Sequence, residues 1–292
     1  MGRSAVLVTG ASSDLMRRVI RLLDPERYRV IGLTRNVARL QDPLIEVREG
    51  DIRDPRIVAE AASGVELVLH AAAATHARDA REYRDVNVEG TRNVVQACNQ
   101  VGQPRLAFVS SRAAVADGGA YGVSKLRAEE LVRTGCSHWT ILRPAEVYGL
   151  ARRTGIDKLI HDARYRRVVP CPAGPRSLLY PIHVGDAAAA IHHFAFEAWE
   201  DATTHVINGV DGFTVPALLR CIARQSHRWV LPVPVPRPFM VLLQWAIEST
   251  GADVGFVPDQ VPRLYCTKEV EVPRLPQKRL ADYLSADAQG GT

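Results

Sequence analysis

This 292-residue sequence predicts a doubly wound α/β fold, a parallel sheet with helices on both faces and a small C-terminal lobe. Three observations predict it. Over the first 150 residues, short apolar runs alternate with helical patterns, which is how successive β-α-β units read. The first run, residues 5–9, passes through Gly10 straight into a helical pattern, the strand-turn-helix that opens such sheets. Beyond residue 150 the composition shifts towards proline, which marks a change of architecture.

Each element follows from its own pattern. Strands are expected at 5–9, 28–33, 46–50, 66–70, 105–110 and 139–143, the last ended by Pro144 because a proline disfavours helix in the residue before it and cannot donate to a ladder. Helices are expected at 15–23, 55–62, 88–101 (entered past Asn87) and 120–134. Asp54 stands where the N-cap of the second helix belongs, just before Pro55. The proline-rich runs 170–181 and 231–238 read as extended connections. Around them lie helices at 186–199, 215–226 and 238–249 and a short strand at 205–208. The architecture is a Rossmann-type sheet over residues 1–150, rejoined by 178–208, with 151–177 and 209–292 forming a small substrate-binding lobe.

Composition excludes several classes. Hydrophobic residues make up 47% and charged residues 24%, so the chain is neither disordered nor fibrous. Its formal charge of +5 is carried by dispersed arginines such as Arg17-Arg18, Arg152-Arg153 and Arg166-Arg167, without the interleaved aromatics of a nucleic-acid face. Five scattered cysteines without C-x-x-C spacing read as reduced thiols in a cytosol. The histidines His70, His76, His183, His192 and His193 have no metal-ligand spacing, so no metal site is expected. The N-terminal apolar run is too short for a secretory leader, and the stretch 239–247 falls far below the roughly 20 residues that span a bilayer. A cytoplasmic protein without membrane or nucleic-acid partners is the expectation.

The chemistry is carried by Tyr121-Gly122-Val123-Ser124-Lys125, just downstream of Ser110 and Ser111. Four residues apart on a helix, the phenol and the ammonium share one face. A nearby ammonium favours phenolate, so Tyr121 can exchange a proton with a carbonyl or hydroxyl undergoing hydride transfer. Gly10, Ser12 and Ser13 form a strand-to-helix turn able to cradle a pyrophosphate, although Ser13 and Met16 stand where a full G-x-G-x-x-G fingerprint has glycines, and Asp14 adds a negative charge. The end of the second strand reads Gly32-Leu33-Thr34-Arg35. It lacks the carboxylate that would bond the ribose of NAD, and Arg35 can pair with a 2′-phosphate, so NADP is favoured over NAD.

Several further motifs stand in order: V-T-G-A-S-S at 8–13, G-D-I-R-D at 50–54, L-H-A-A-A at 69–73, N-V-E-G-T-R-N at 87–93, F-V-S-S at 108–111, I-L-R-P-A-E-V-Y-G at 141–149 and P-I-H-V-G-D-A at 181–187. Together with Y-G-V-S-K they resemble the extended short-chain dehydrogenase/reductase superfamily, in its epimerase/dehydratase group, over residues 5 to about 210. The resemblance implies a cofactor site of Gly10, Ser12, Ser13, Arg35, Asp51 and Ile52 at the adenine, Ala71, Ala72 and Ala73 along the diphosphate and ribose, Lys125 and Pro144. It implies Ser111, Tyr121 and Lys125 as the catalytic group, and Asn87 as a tie between the central helix and neighbouring backbone. It implies an NAD(P)-dependent oxidoreductase or epimerase acting on a small carbinol or ketone, such as a nucleotide sugar, and leaves open a homodimer through a four-helix interface built by 88–101 and 120–134. Glu146 and Leu179 depart from the nucleotide-sugar pattern, since relatives place asparagine and arginine there; a carboxylate at 146 would repel a diphosphate, and only Arg176 stands near 179. The short gap from Ser111 to Tyr121 and the incomplete glycine loop keep a second class open, a non-catalytic NAD(P)-binding sensor or assembly module.

Overall fold

A computed structural model describes residues 2–77, 79–150, 155–174, 178–242 and 260–289. Its strands are β1 (Ser4–Thr9), β2 (Tyr28–Thr34), β3 (Ile45–Glu49), β4 (Leu67–His70), β5 (Arg105–Val109), β6 (Trp139–Pro144), β7 (Val147–Tyr148), β8 (Val168–Pro172), β9 (Ile182–His183), β10 (Thr203–Ile207) and β11 (Leu231–Val235). Its helices are α1 (Asp14–Ile20), α2 (Pro55–Ala62), α3 (Ala80–Tyr83), α4 (Gly90–Gln100), α5 (Gly119–Gly135), α6 (Gly155–Tyr165), α7 (Val184–His192), α8 (Val215–Gln225), α9 (Gln260–Tyr265) and α10 (Leu280–Gln289).

Seven strands form one parallel sheet in the order β3-β2-β1-β4-β5-β6-β10, so the chain reverses direction across the sheet between β1 and β4. The predicted fold class is the one observed. Alternate residues of β1 serve opposite faces: Val6 and Val8 join α1 and α7 in one apolar cluster, and Ala5 and Leu7 join α2, α4 and α5 in the other. Both faces are buried, which is why the strand reads as an unbroken apolar run. Ser13 caps α1 by accepting from the Met16 N–H, and Asp54 caps α2 by accepting from Arg56 and Ile57. Met16 is almost fully buried in the cluster beneath α1, so the position where a fingerprint has its third glycine is packed as core.

Two expectations need correction. The proline runs are not mere connections, because β8 and β11 pair in parallel with Val168 beside Leu231 and Val235 beside Pro172. Prolines at 232 and 234 alternate with Leu231, Val233 and Val235, so the missing N–H groups fall on one edge while the other edge keeps its donors; Leu231 N–H reaches the Arg167 carbonyl at 2.7 Å. The central helix also starts earlier than Val88. It begins as α3, passes through a wide π-turn at Arg84–Glu89 and continues as α4, so Asn87 lies inside the helical run. Of the helix expected at 238–249, residues 238–242 are helical and the remainder lies outside the described residues, as do Arg152, Arg153 and Arg176.

A separate apolar cluster holds α6, β8, α8 and α10 together, with Ile160, Val169, Leu219, Leu280 and Leu284 at its centre. The chain then leaves it: residues 266–275 return to the sheet, where the Arg112 Nε donates to the Glu269 carbonyl at 2.8 Å and the Glu271 N–H donates to Asn208 Oδ1 at 3.1 Å.

Candidate active site

A single cavity of about 1620 Å³ runs along the C-terminal edge of the sheet. Gly10, Ser12, Ser13, Arg35, Asp51, Ile52, Ala71, Ala72, Ala73, Ser111, Tyr121, Lys125 and Pro144 all border it. It opens at the reversal between β1 and β4, where open parallel sheets bind their ligands.

The cradle at one end depends on close backbone approach. Gly10 has φ +67°, and a Cβ there would lie 2.8 Å from the Ala72 nitrogen, so the β1 and β4 turns touch only because residue 10 has no side chain. Thr9 holds the same junction from beneath, its Oγ1 accepting from the N–H groups of Ala71 and Ala72 at 3.1 Å each. That hydroxyl then donates to His70 Nδ1 at 2.7 Å; His70 Nε2–H donates to Thr91 Oγ1 at 3.0 Å, and the Thr91 hydroxyl donates to the Asn87 carbonyl at 2.6 Å. Asn87 Oδ1 accepts from the Ala74 N–H at 2.8 Å while its Nδ2 donates to Ser124 Oγ at 2.9 Å. The chain of bonds therefore joins the glycine turn to the helix that carries Tyr121 and Lys125. Gly10, Ser12 and Ser13 beside a run of three alanines suit a dinucleotide diphosphate, because nothing bulkier than a hydroxymethyl intrudes on the backbone.

His70 is fully buried, and desolvation followed by the Lys125 charge pulls its ring down to about 3 from the ordinary 6.5. Between those values the unfolded chain binds a proton that the folded chain does not, so stability falls as pH drops through this window and is unaffected by this group above it. Urea midpoints should decline from about pH 6.5 towards pH 3 more steeply in wild type than in His70→Gln. Equal slopes would mean that the histidine charges freely in the native state.

At the far end of the edge α5 presents Tyr121 and Lys125. Both serines border the cavity, but the Ser110 hydroxyl donates to the buried Glu129 at 2.6 Å, whereas the Ser111 hydroxyl accepts from the Ala113 N–H at 3.1 Å. Lys125 is also buried, its Nζ donating to the Val109 carbonyl at 2.8 Å and lying 4.0 Å from the Phe108 ring centroid. Burial brings its ammonium down to about 7, with Glu129 opposing in part. A second cation lies beside Tyr121. The Arg263 guanidinium on α9 lies 3.9 Å from the Tyr121 ring centroid, held by hydrogen bonds of 2.9 Å each to Tyr83 Oη and the Thr75 carbonyl. Tyr83 meets Tyr121 edge to face at 5.8 Å. Sequence reasoning missed Arg263 and Tyr83, since neither stands in a motif and 142 positions separate Tyr121 from Arg263.

Glu146 needs a correction. It is not a lone negative charge: Lys268 Nζ donates to it at 2.7 Å, Arg112 Nη1 at 3.3 Å and the Tyr180 N–H at 3.1 Å. Burial pushes its carboxyl up, but Lys268 and then Arg112 outweigh that and hold it below the usual carboxylate range. Two cations around one carboxylate leave this stretch of wall net positive, so the expected repulsion of anions does not arise. At the cavity's other end Asp51 is engaged by Arg53 at 2.7 Å and by Arg35 at 3.8 Å, and the Arg53 hydrogen bond holds it below its ordinary value. His183 caps α7 and stacks on Tyr283 at 3.8 Å, a structural role.

The model of the "NAD dependent epimerase/dehydratase family" matches residues 6–209. The chain belongs to that family. With it comes membership of the extended short-chain dehydrogenase/reductase superfamily. Among its relatives, a ceramide reductase of Caulobacter vibrioides is 31% identical over 201 residues, covering 66% of this chain and 61% of that protein. A sterol demethylase protein B of Methylococcus capsulatus is 34% identical over 46% of this chain and 39% of that protein. The chain thus spans less than two thirds of the length of the curated relatives it matches first. In fold it is similar to the crystal structure of gox2253, with a TM-score of 0.74 at 21% identity over 99% of both chains. It is also similar to a short-chain dehydrogenase/reductase superfamily protein from Agrobacterium tumefaciens with bound NAD, with a TM-score of 0.70 at 18% identity, covering 98% of this chain and 96% of that one. Family members of this kind are NAD-dependent reductases, epimerases and dehydrogenases.

Proposed function

We propose that this protein is an NAD(P)-dependent oxidoreductase of the extended short-chain type, acting on a carbinol or ketone carbon of a substrate with an apolar body. One observation carries the reading: a single cavity borders the Gly10–Ala72 junction and also Ser111, Tyr121 and Lys125. Residues 10–13 would hold the diphosphate, Asp51 and Ile52 the adenine, and Lys125 the nicotinamide ribose. Arg35 would meet a 2′-phosphate, which favours NADP over NAD. When bound, the dinucleotide accepts or supplies a hydride.

Tyr121 takes the proton of a substrate hydroxyl, or returns it to a ketone, while Ser111 donates to that oxygen and fixes its orientation. Arg263 on the ring face would favour the phenolate form of Tyr121 together with Lys125. Asn87 keeps α5 in register with the turn after β4. Residues 151–177 and 209–292 act as the substrate lobe, which lines the cavity with the apolar Val169, Val235, Met240 and Leu264 and also with Lys158, Asp162 and Arg166. Glu146 offsets one of the two charges of Arg112 and Lys268, so this part of the wall keeps a single net positive charge beside the apolar lining. The names of the ceramide and sterol relatives agree with an apolar substrate body.

Fluorescence titration with NADPH and NADH tests the reading. NADPH should bind at least about tenfold more tightly, and Arg35→Glu should reverse the order, as expected when a charge-assisted phosphate contact becomes a repulsion. Binding of neither nucleotide would remove the enzyme. Tight binding with no turnover on any ketone would instead favour a non-catalytic sensor or assembly module.

A further inference from the structure

The outer face of the small lobe is apolar where a water-facing sheet would be polar. Val168 lies beside Leu231 in the β8–β11 pair, with Val233 two residues on, and all three are exposed while Val169, Cys171 and Pro232 point inward. Trp229, just before β11, is 57% exposed and has the Arg167 guanidinium 4.9 Å from its ring centroid. Just after β11, residues 237–242 turn into a helix whose Met240 borders the cavity, while Phe239, Val241 and Leu242 are exposed.

The two segments that build this surface carry charge of one sign. No aspartate or glutamate occurs from 163 to 185 or from 212 to 247, the two segments that supply β8 and β11. Arg167, Arg228 and Arg237 stand exposed beside it, and none forms an ion pair among the described residues. Large exposed aromatic and aliphatic side chains rimmed by uncompensated arginines match the boundary of a bilayer, where rings and alkyl groups enter the headgroup layer and guanidinium groups meet phosphates. A nucleic acid would use the arginines but leave Phe239, Leu242 and Leu231 in water.

We propose that this face of the small lobe docks on an anionic phospholipid bilayer. Docking is contact and not insertion, since no helix among the described residues is long and apolar enough to cross a membrane. The expectation of no membrane partner, drawn from that same shortness, does not bear on a surface contact. Docking places Met240, and with it one wall of the cavity, next to the lipid phase.

The proposal does not depend on the catalytic reading, because it is tested without turnover. Full-length protein is floated on a density gradient with vesicles of equimolar phosphatidylcholine and phosphatidylglycerol, and with vesicles of phosphatidylcholine alone. It should rise with the anionic vesicles only, and less at high salt. Trp229→Ser with Phe239→Ser, and separately Arg167→Gln with Arg228→Gln, should each lower the floated fraction, the arginine pair by roughly fivefold per residue removed. These side chains are exposed, so melting temperatures should stay at the wild-type value and certify the fold. Wild type left at the bottom of the gradient, or both variants rising as well as wild type, overturns the proposal. So does a dimer in sedimentation that the Trp229/Phe239 variant dissolves, since the face would then join two copies of the chain.

Discussion

Tyr121→Phe should lower turnover by about 10²- to 10⁴-fold, the range expected when a positioned general acid or base is removed. The substitution deletes one hydroxyl and keeps the ring that packs on Tyr83 and beneath Arg263, so fold and dinucleotide affinity should be preserved. Steady-state kinetics paired with NADPH titration reads both. If the variant turns over as fast as wild type, the proton is handled elsewhere and the catalytic assignment falls. Arg263→Met offers a finer measurement. Removing the permanent cation from the ring face should move the rising limb of kcat/KM for oxidation to higher pH, and Arg263→Lys should restore part of the shift. An unmoved limb, with Tyr121→Phe still inactive, would confine Arg263 to a structural role.

Gly10→Val should abolish dinucleotide binding and lower stability as well. The left-handed φ of +67° costs an ordinary side chain about 1–2 kcal/mol. The new Cβ would also meet the Ala72 nitrogen at 2.8 Å and the Ala72 Cα at 2.9 Å, both backbone atoms that cannot swing aside. The turns after β1 and β4 must therefore separate, which breaks the Thr9 bonds to Ala71 and Ala72 and opens the cradle. Thermal melts with and without NADPH report both effects: wild type should be stabilised by the ligand, whereas the variant should melt earlier and ignore it. A variant that melts and responds like wild type would show that the junction tolerates a side chain.

Much of the sheet was legible because its strands are buried on both faces, so β1, β4 and β5 stand out as unbroken apolar runs between helical patterns. The four-residue spacing of Tyr121 and Lys125 was legible for an equally local reason, the helical repeat. What escaped was set by distant partners. Glu146 read as a repulsive charge until Lys268 and Arg112 were seen around it, and Arg263 had no reason to be noticed until α9 folded over Tyr83. The β8–β11 pair was hidden by its prolines, although their strict alternation at 232 and 234 was itself a sign that one edge kept every donor it needed. Asn87 was read as a tie to nearby backbone, which it is. The wide turn around it followed from no spacing rule, since a π-turn inserts its extra residue without a residue type that announces it.

The segment that returns to the sheet after the small lobe has a consequence for how the molecule is made. All seven strands of the main sheet have been synthesised by residue 207, yet Arg263 and Lys268 emerge from the ribosome only afterwards. A chain ended before residue 263 would still hold the Gly10–Ala72 junction but would lack the guanidinium that lies over the Tyr121 ring. If the proposed function holds, the last-made part of the chain completes the site, and such a truncated product is expected to bind dinucleotide without turning substrate over.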